Sequence, residues 1–379
     1  MQKRKMWIGI CIFAILGIVV FGIIKFVLMK PIPHELTKVT YLPIYKSWSI
    51  NSVKGDLLTT ANLAFATITA DSTIELRPIP ELDLTTSLTA LKEKYPHLKI
   101  NLSIGGWGAN GFSDMALSKE TRSVFINSVV EHLEQYNLDG VDIDWEFPTR
   151  DESGLTKTRP EDTENFILLM KELRSKFDVL KKTNDKKYSL SFATPIGDWA
   201  IKAFGVKQVS KSVDYIYLMG YDYIGNWSNV TGHHSNFKND KSTTHLSTYD
   251  GIKRFMKVCP PEKLVVGIPA YGYGWSGVGP TDSGLFQNAK GIVPTDDLIY
   301  SNLKDKYISK NGFTRYWDNS SKAAYLYNGD IWITYEDLEA IQYKAETVKS
   351  LGLGGMMYWE HTQDLTGDVI TTISNSLAE

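Results

Sequence analysis

The sequence predicts an α/β protein whose fold is a closed (β/α)8 TIM barrel, and three observations support this. Eight short runs rich in β-branched and aromatic residues recur from residue 38 onward, amphipathic stretches lie between several of them, and the runs are close to continuously apolar. Strands that are apolar on both faces and alternate with helices form a parallel sheet covered by those helices, and eight such units suggest closure into a barrel.

In chain order the predicted strands are KVTYLPIY (38–45), ANLAFATI (61–68), KINLSI (99–104), LDGVDIDWEF (138–147), YSLSFAT (188–194), VDYIYLMGY (213–221), KLVVGIPA (263–270) and GGMMYWE (354–360). Helices are predicted where apolar residues recur at three and four spacing, as in TRSVFINSVVEHLEQY (121–136) and ENFILLMKELRSKF (164–177). More than eighty residues separate the seventh and eighth strands, rich in Gly, Asn, Tyr and Trp until a closing helix over 335–351. Segments such as FTRYWD and AAYLYNGDIWITY alternate like strands, which predicts a small α+β insertion at about 276–335 walling one side of the barrel mouth. The lysine-rich run KKTNDKK at 181–187 reads as a solvated loop.

The chain has 379 residues, 43% hydrophobic and 22% charged, as expected of a folded protein with a large core. Its 41 basic and 43 acidic residues give a formal net charge of -2, so there is no general attraction to nucleic acid or anionic surfaces. Two cysteines, Cys11 and Cys259, exclude a disulfide framework. After Lys3, Arg4 and Lys5, the 19 residues from Met6 to Ile24 carry no charge, close to the ~20 needed to cross a bilayer. Residues 1–30 are therefore expected to form an N-terminal transmembrane anchor, with a cleaved secretory signal as the alternative. The basic flank stays cytoplasmic, so domain 31–379 is expected outside the cell, single-pass on the membrane or secreted if the segment is cleaved. A monomer is expected.

Within the fourth strand, Asp142, Asp144 and Glu146 occupy every second position, so an extended chain turns all three to one side and Val141, Ile143 and Trp145 to the other. Such a row admits a metal site, a structural network or proton chemistry. Calcium or magnesium would need more oxygen ligands than this strand supplies, His233-His234 are adjacent rather than at a ligand spacing, and there is no cysteine pair for zinc. No metal and no cofactor is expected. Neighbouring carboxylates cannot both ionise cheaply and share a proton, which suits a general acid for glycoside hydrolysis.

LDGVDIDWEFP resembles the signature of the family 18 glycoside hydrolases, the chitinases. SIGG (103–106), MGYD (219–222) and GGMMYWE (354–360) resemble that family's motifs on the third, sixth and eighth strands, and the insertion resembles that of its deep-cleft members. The resemblance implies a retaining chitinase acting on chitin or N-acetylglucosamine oligosaccharides. It casts Glu146 as general acid and base, Asp144 as the residue that orients the substrate's N-acetyl group, and Asp142 as its proton-sharing partner. It implies that Tyr221 donates to the acetamido oxygen and that Asp222 holds the distorted sugar. Trp359 becomes the floor beneath that sugar, Trp107 an aromatic on the leaving-group side, and Tyr41 and Ser103 polar support for Asp142. Met219 and, more weakly, Tyr271 join the substrate-binding set. Tyr273 stands where many relatives carry an arginine. The alternatives are an endo-β-N-acetylglucosaminidase acting on glycoprotein glycans or peptidoglycan, and an inactive chitin-binding lectin.

Overall fold

The computed structural model describes residues 35–239 and 246–378. The expected N-terminal anchor lies outside these, and among the described residues no helix is long and apolar enough to cross a membrane. The strands run β1 (Thr37–Pro43), β2 (Thr60–Ile68), β3 (Ile74–Leu76), β4 (Lys99–Gly105), β5 (Gly140–Asp144), β6 (Ser189–Pro195) and β7 (Tyr215–Met219). They continue as β8 (Leu264–Pro269), β9 (Gly272–Ser276), β10 (Gly291–Val293), β11 (Thr314–Asp318), β12 (Ala323–Tyr327), β13 (Trp332–Tyr335) and β14 (Gly355–Trp359).

Eight of these strands pair in parallel in the order β1-β14-β8-β7-β6-β5-β4-β2, and β2 returns to pair with β1. The sheet therefore closes, and each of the eight predicted strands contributes one stave. Side chains on the outer face, such as Leu102, Ile104, Val141, Ile143, Leu190 and Phe192, are fully buried against Phe125, Val129, Phe166 and Leu169 of the surrounding helices. Each such burial stabilises by about 1.5–3 kcal/mol. The inner face carries a smaller cluster containing Val39, Tyr41, Ala64, Tyr217, Val265 and Met357. Strand alternation thus places Asp142 and Asp144 inside while Val141 and Ile143 face the helices.

The second sheet runs β10-β9-β13-β12-β11, antiparallel throughout, between β8 and β14. It begins at Gly272, four residues before the start expected near 276, because β9 pairs with β13 from Gly272 to Trp275. Trp275 and Trp332, both fully buried, pack 5.7 Å apart in its core.

Two boundaries differ from expectation. The fourth barrel strand stops at Asp144 rather than 147, so Glu146 stands just beyond the last ladder pair, Gly105 with Asp144. KKTN of the lysine-rich run belongs to the helix Asp162–Asn184, which ends only where Asp185 turns left-handed at φ 57°. Lys181 and Lys182 lie in its last turn, where cations favour the negative end of the helix dipole.

Candidate active site

The inner mouth is organised by register. Ser103 of β4 pairs with Asp142 of β5, which pairs with Ser191 of β6, so two hydroxyls flank one carboxylate across three strands. Ser103 Oγ donates to Asp142 Oδ2 at 2.8 Å, Tyr41 Oη donates to the same oxygen at 2.9 Å, and Ser191 Oγ donates to Oδ1 at 2.8 Å. Asp142 is wholly enclosed, and burial raises its pKa against the opposing pull of these three donors.

Asp144, two residues nearer the mouth, is 5% exposed, and its buried Oδ1 has no hydrogen-bond partner among the described residues. Burial first and then the charge of Asp142 hold its carboxyl well above the usual carboxylate range. The same holds for Glu146, raised by burial and then by Asp144, Asp222 and Glu152. Burial and the surrounding acids also push up the phenols of Tyr41 and Tyr221, which therefore remain protonated donors. Among the described residues, no lysine or arginine lies within 4.0 Å of Asp142, Asp144 or Glu146. A proton in this row is stabilised by the acids themselves.

The glycines of SIGG exist for close approach. A Cβ on Gly105, at φ 121°, would stand 2.0 Å from the carbonyl oxygen of Asp144, and one on Gly106 would meet the Phe65 ring at 2.6 Å. The first would displace Asp144 and the second the Phe65 ring.

Trp359 ends β14 and lies over Phe65, with rings 5.5 Å apart and 19° from parallel, while Tyr41 sits 5.1 Å away. This aromatic platform lines the barrel interior beside Tyr221 and Met219, both half-buried against the inner cluster. Trp107, just past SIGG, is 60% exposed and meets Phe147 edge-on at 6.2 Å. Asp222, following Tyr221, adopts φ 60°, a left-handed conformation that Asp tolerates better than bulky residues. Its Oδ1 accepts from Tyr271 at 2.6 Å and from Tyr273 at 3.0 Å. Asp139 points away from the row, where its Oδ2 accepts from Lys92 at 3.0 Å and from the Ile100 amide at 2.8 Å.

The structure thus gathers Asp142, Asp144, Glu146, Tyr41, Ser103, Met219, Tyr221, Asp222, Trp359 and Tyr271 at one end of the barrel, with Trp107 at the rim. Sequence reasoning missed Ser191, Phe65 and Trp227. Ser191 had a signal, a hydroxyl at an inner-face position of a buried strand. Phe65 had a weaker one, as an aromatic inside ANLAFATI. Trp227, 66% exposed and 5.6 Å from Tyr273, lies on a loop with no periodicity to place it.

Comparison with known proteins agrees with this fold. The profile described as glycosyl hydrolases family 18 matches residues 38–364. Chitinase A1 of Niallia circulans is 36% identical over 307 residues, covering 76% of this chain and 43% of its own length. The chain therefore spans less than half of that relative. Among solved structures, a family 18 N-acetylglucosaminidase from Paenibacillus barengoltzii superposes with a TM-score of 0.82 at 31% identity, covering 90% of this chain and 100% of the other. Chitinase ChiW from a Paenibacillus species, described as a cell-surface-expressed multi-modular enzyme, gives a TM-score of 0.83 at 36% identity, covering 90% and 43%.

Proposed function

The chain belongs to glycosyl hydrolase family 18, and on that premise we propose that it is a retaining chitinase hydrolysing β-1,4 bonds between N-acetylglucosamine units. The observation that carries this reading is the row of buried Asp142 and Asp144 and half-buried Glu146, without an ion-pairing cation among the described residues and ending at the mouth of an aromatic-floored cleft. Glu146, its proton held by burial and by neighbouring acids, protonates the glycosidic oxygen as the bond to the anomeric carbon breaks. The substrate's own acetamido carbonyl oxygen attacks that carbon, an exception to the rule that retaining enzymes supply the nucleophile themselves. Asp144 faces the acetamido nitrogen and takes on negative charge as positive charge develops there, while the Tyr221 hydroxyl donates to the acetamido oxygen. The proton shared between Asp144 and Asp142 rests on Asp144 while the three hydroxyl donors stabilise ionised Asp142, and it moves to Asp142 as the positive charge on the acetamido group makes Asp144 ionise. Water then adds to the anomeric carbon from the face that the leaving sugar vacated, the bond to the acetamido oxygen breaks, and the water's proton passes to Glu146 and restores the acid. Trp359 and Phe65 present flat apolar surface to the pyranose ring.

Incubation with N-acetylglucosamine oligomers, with products resolved by length and anomer at early times, tests this. β-Anomeric products support retention. Release of disaccharide indicates a chitinase, and release of monosaccharide an enzyme like the N-acetylglucosaminidase it resembles. Glu146→Gln should lower kcat by about 10²–10⁴-fold while leaving oligomer binding in place. Retained turnover would overturn the mechanism. Binding without cleavage by the unmutated chain would favour a lectin. We also place the catalytic domain outside the cell on an N-terminal membrane anchor, supported by the uncharged run Met6–Ile24 after three basic residues. Recovery of the full-length chain in a cytosolic fraction would refute that placement.

A further inference from the structure

Charge is unevenly placed on the barrel. All eight staves start at one end, opposite the mouth, and the segments leading into three neighbouring staves, β6, β7 and β8, bring lysines there. Lys181, Lys182 and Lys187 precede β6, Lys211 precedes β7 and Lys257 precedes β8, and all five are exposed. These segments form one surface. Arg174 donates to the Tyr188 carbonyl at 3.2 Å, to the Ser212 carbonyl at 2.8 Å and to Asp214 at 2.5 Å. Lys263 donates to the carbonyls of Ser210 at 2.6 Å and Val213 at 2.7 Å. Asp214 is thereby answered by Arg174, and Lys187 is a second cation 3.7 Å from it. Lys181, Lys182, Lys211 and Lys257 have no carboxylate within 4.0 Å among the described residues, although the exposed acids Asp185 and Glu262 share the surface. A helix dipole favours cations at every helix end, yet the helix end and loop before β5 carry Glu134 and Asp139, so the lysines belong to this arc in particular. Exposed Asp71, Asp151, Glu152 and Asp222 lie on loops leaving the other end of the staves, so the net charge of -2 averages over two unlike ends.

We propose that this basic arc docks the catalytic domain on the anionic lipid headgroups of the membrane that holds the anchor, leaving the cleft open to the medium. The inference rests on the reading of Met6–Ile24 as an N-terminal anchor. The chain enters β1 at Thr37, at the end of the barrel where the arc lies, and β8 stands two staves from β1. Residues 25–36 reach at most about 40 Å even when fully extended. So short a tether holds the arc at high effective concentration near the bilayer, and the weak attractions of single lysines then suffice together to orient the domain. The attraction fades within a Debye length, about 8 Å at physiological salt, so it acts on lysines at this end and not on those at the mouth. An anionic surface also repels the mouth-side acids, which turns the cleft outward.

The test places the full chain in lipid nanodiscs of phosphatidylglycerol or of phosphatidylcholine and maps its lysines by limited acetylation and mass spectrometry. On phosphatidylglycerol, Lys182, Lys187, Lys211 and Lys257 should acetylate several-fold more slowly than on phosphatidylcholine, while the exposed mouth-side Lys157 and Lys290 react alike on both. Salt at ~0.5 M should remove the difference. Combining Lys182→Glu, Lys211→Glu and Lys257→Glu should abolish protection of Lys187 and leave kcat/KM on soluble N-acetylglucosamine tetramer unchanged, because all three lie at the far end of the barrel. Equal reactivity on the two lipids, protection that survives salt, or equal protection of Lys157 and Lys290 overturns the inference. So does a triple variant that still shields Lys187. If that variant does not fold, the comparison of the two lipids decides by itself. Protection by a soluble polyanion in detergent, without protection on phosphatidylglycerol, assigns the arc to an anionic polymer and equally overturns docking on lipid. A full chain that joins nanodiscs of neither lipid refutes the anchor, and the inference with it. Insertion with equal reactivity sinks the inference alone.

Discussion

Removing the Ser191 hydroxyl isolates one contact in the acidic row. Asp142 is fully enclosed, and its two oxygens are unequally supported: Oδ2 accepts from Tyr41 and Ser103, whereas Oδ1 accepts from Ser191. Ser191→Ala deletes the donor that Oδ1 has among the described residues, at a fully enclosed site. Hydrogen bonds to charged groups contribute about 1.5–3 kcal/mol net, so losing this one should raise the Asp142 pKa further. The sign follows from linkage. Burial already holds this carboxyl above its unfolded value, so its contribution to stability is complete at low pH and is lost as pH rises through the folded pKa. The variant should therefore match the parent near pH 4 and fall behind by about 1.5–3 kcal/mol near pH 8 in denaturant melts. In the same assay Ser103→Ala should lose less, because Tyr41 still serves Oδ2. A Ser191→Ala deficit of equal size at both pH values, or none at all, would refute the reasoning and reduce Ser191 to a space-filler.

Three further outcomes follow from the same geometry. The alkaline limb of kcat/KM in the unmutated chain should lie above the ordinary carboxylate range, because burial, Asp144, Asp222 and Glu152 all raise Glu146; a limb between pH 4 and 5 would contradict this. Trp359→Ala should weaken oligomer binding about tenfold, on the order of 1.4 kcal/mol of lost stacking, as read by calorimetric titration in a Glu146→Gln background. Lys344→Met should destabilise by about 3–5 kcal/mol, because Lys344 and Glu336 are fully buried partners and the carboxylate would be left uncompensated; adding Glu336→Leu should recover most of that loss.

Much of the fold was legible because its signals are local. Each barrel stave is a run of apolar β-branched or aromatic residues short enough to read in isolation, and alternation alone puts Asp142 and Asp144 on the face opposite Val141 and Ile143. The strand end was harder to read. Nothing local marks Asp144 as the last paired residue of β5, because the ladder stops where the neighbouring strand β4 reaches Gly105. The KKTN residues look like loop by charge, yet they extend a helix whose other faces are packed. Likewise β9 begins early because of β13, some sixty residues away.

The sequence by itself determined the periodicity, the identity of the acids and the aromatic residue ending the eighth strand. Tertiary structure decided what those residues meet. Ser191 reaches Asp142 across 49 residues of chain, Tyr41 across 101, and Tyr271 reaches Asp222 across 49. Such pairings depend on strand register and barrel closure, which no single segment encodes. The same closure removes water from the acidic row, and that desolvation turns three ordinary carboxylates into a set able to hold a proton.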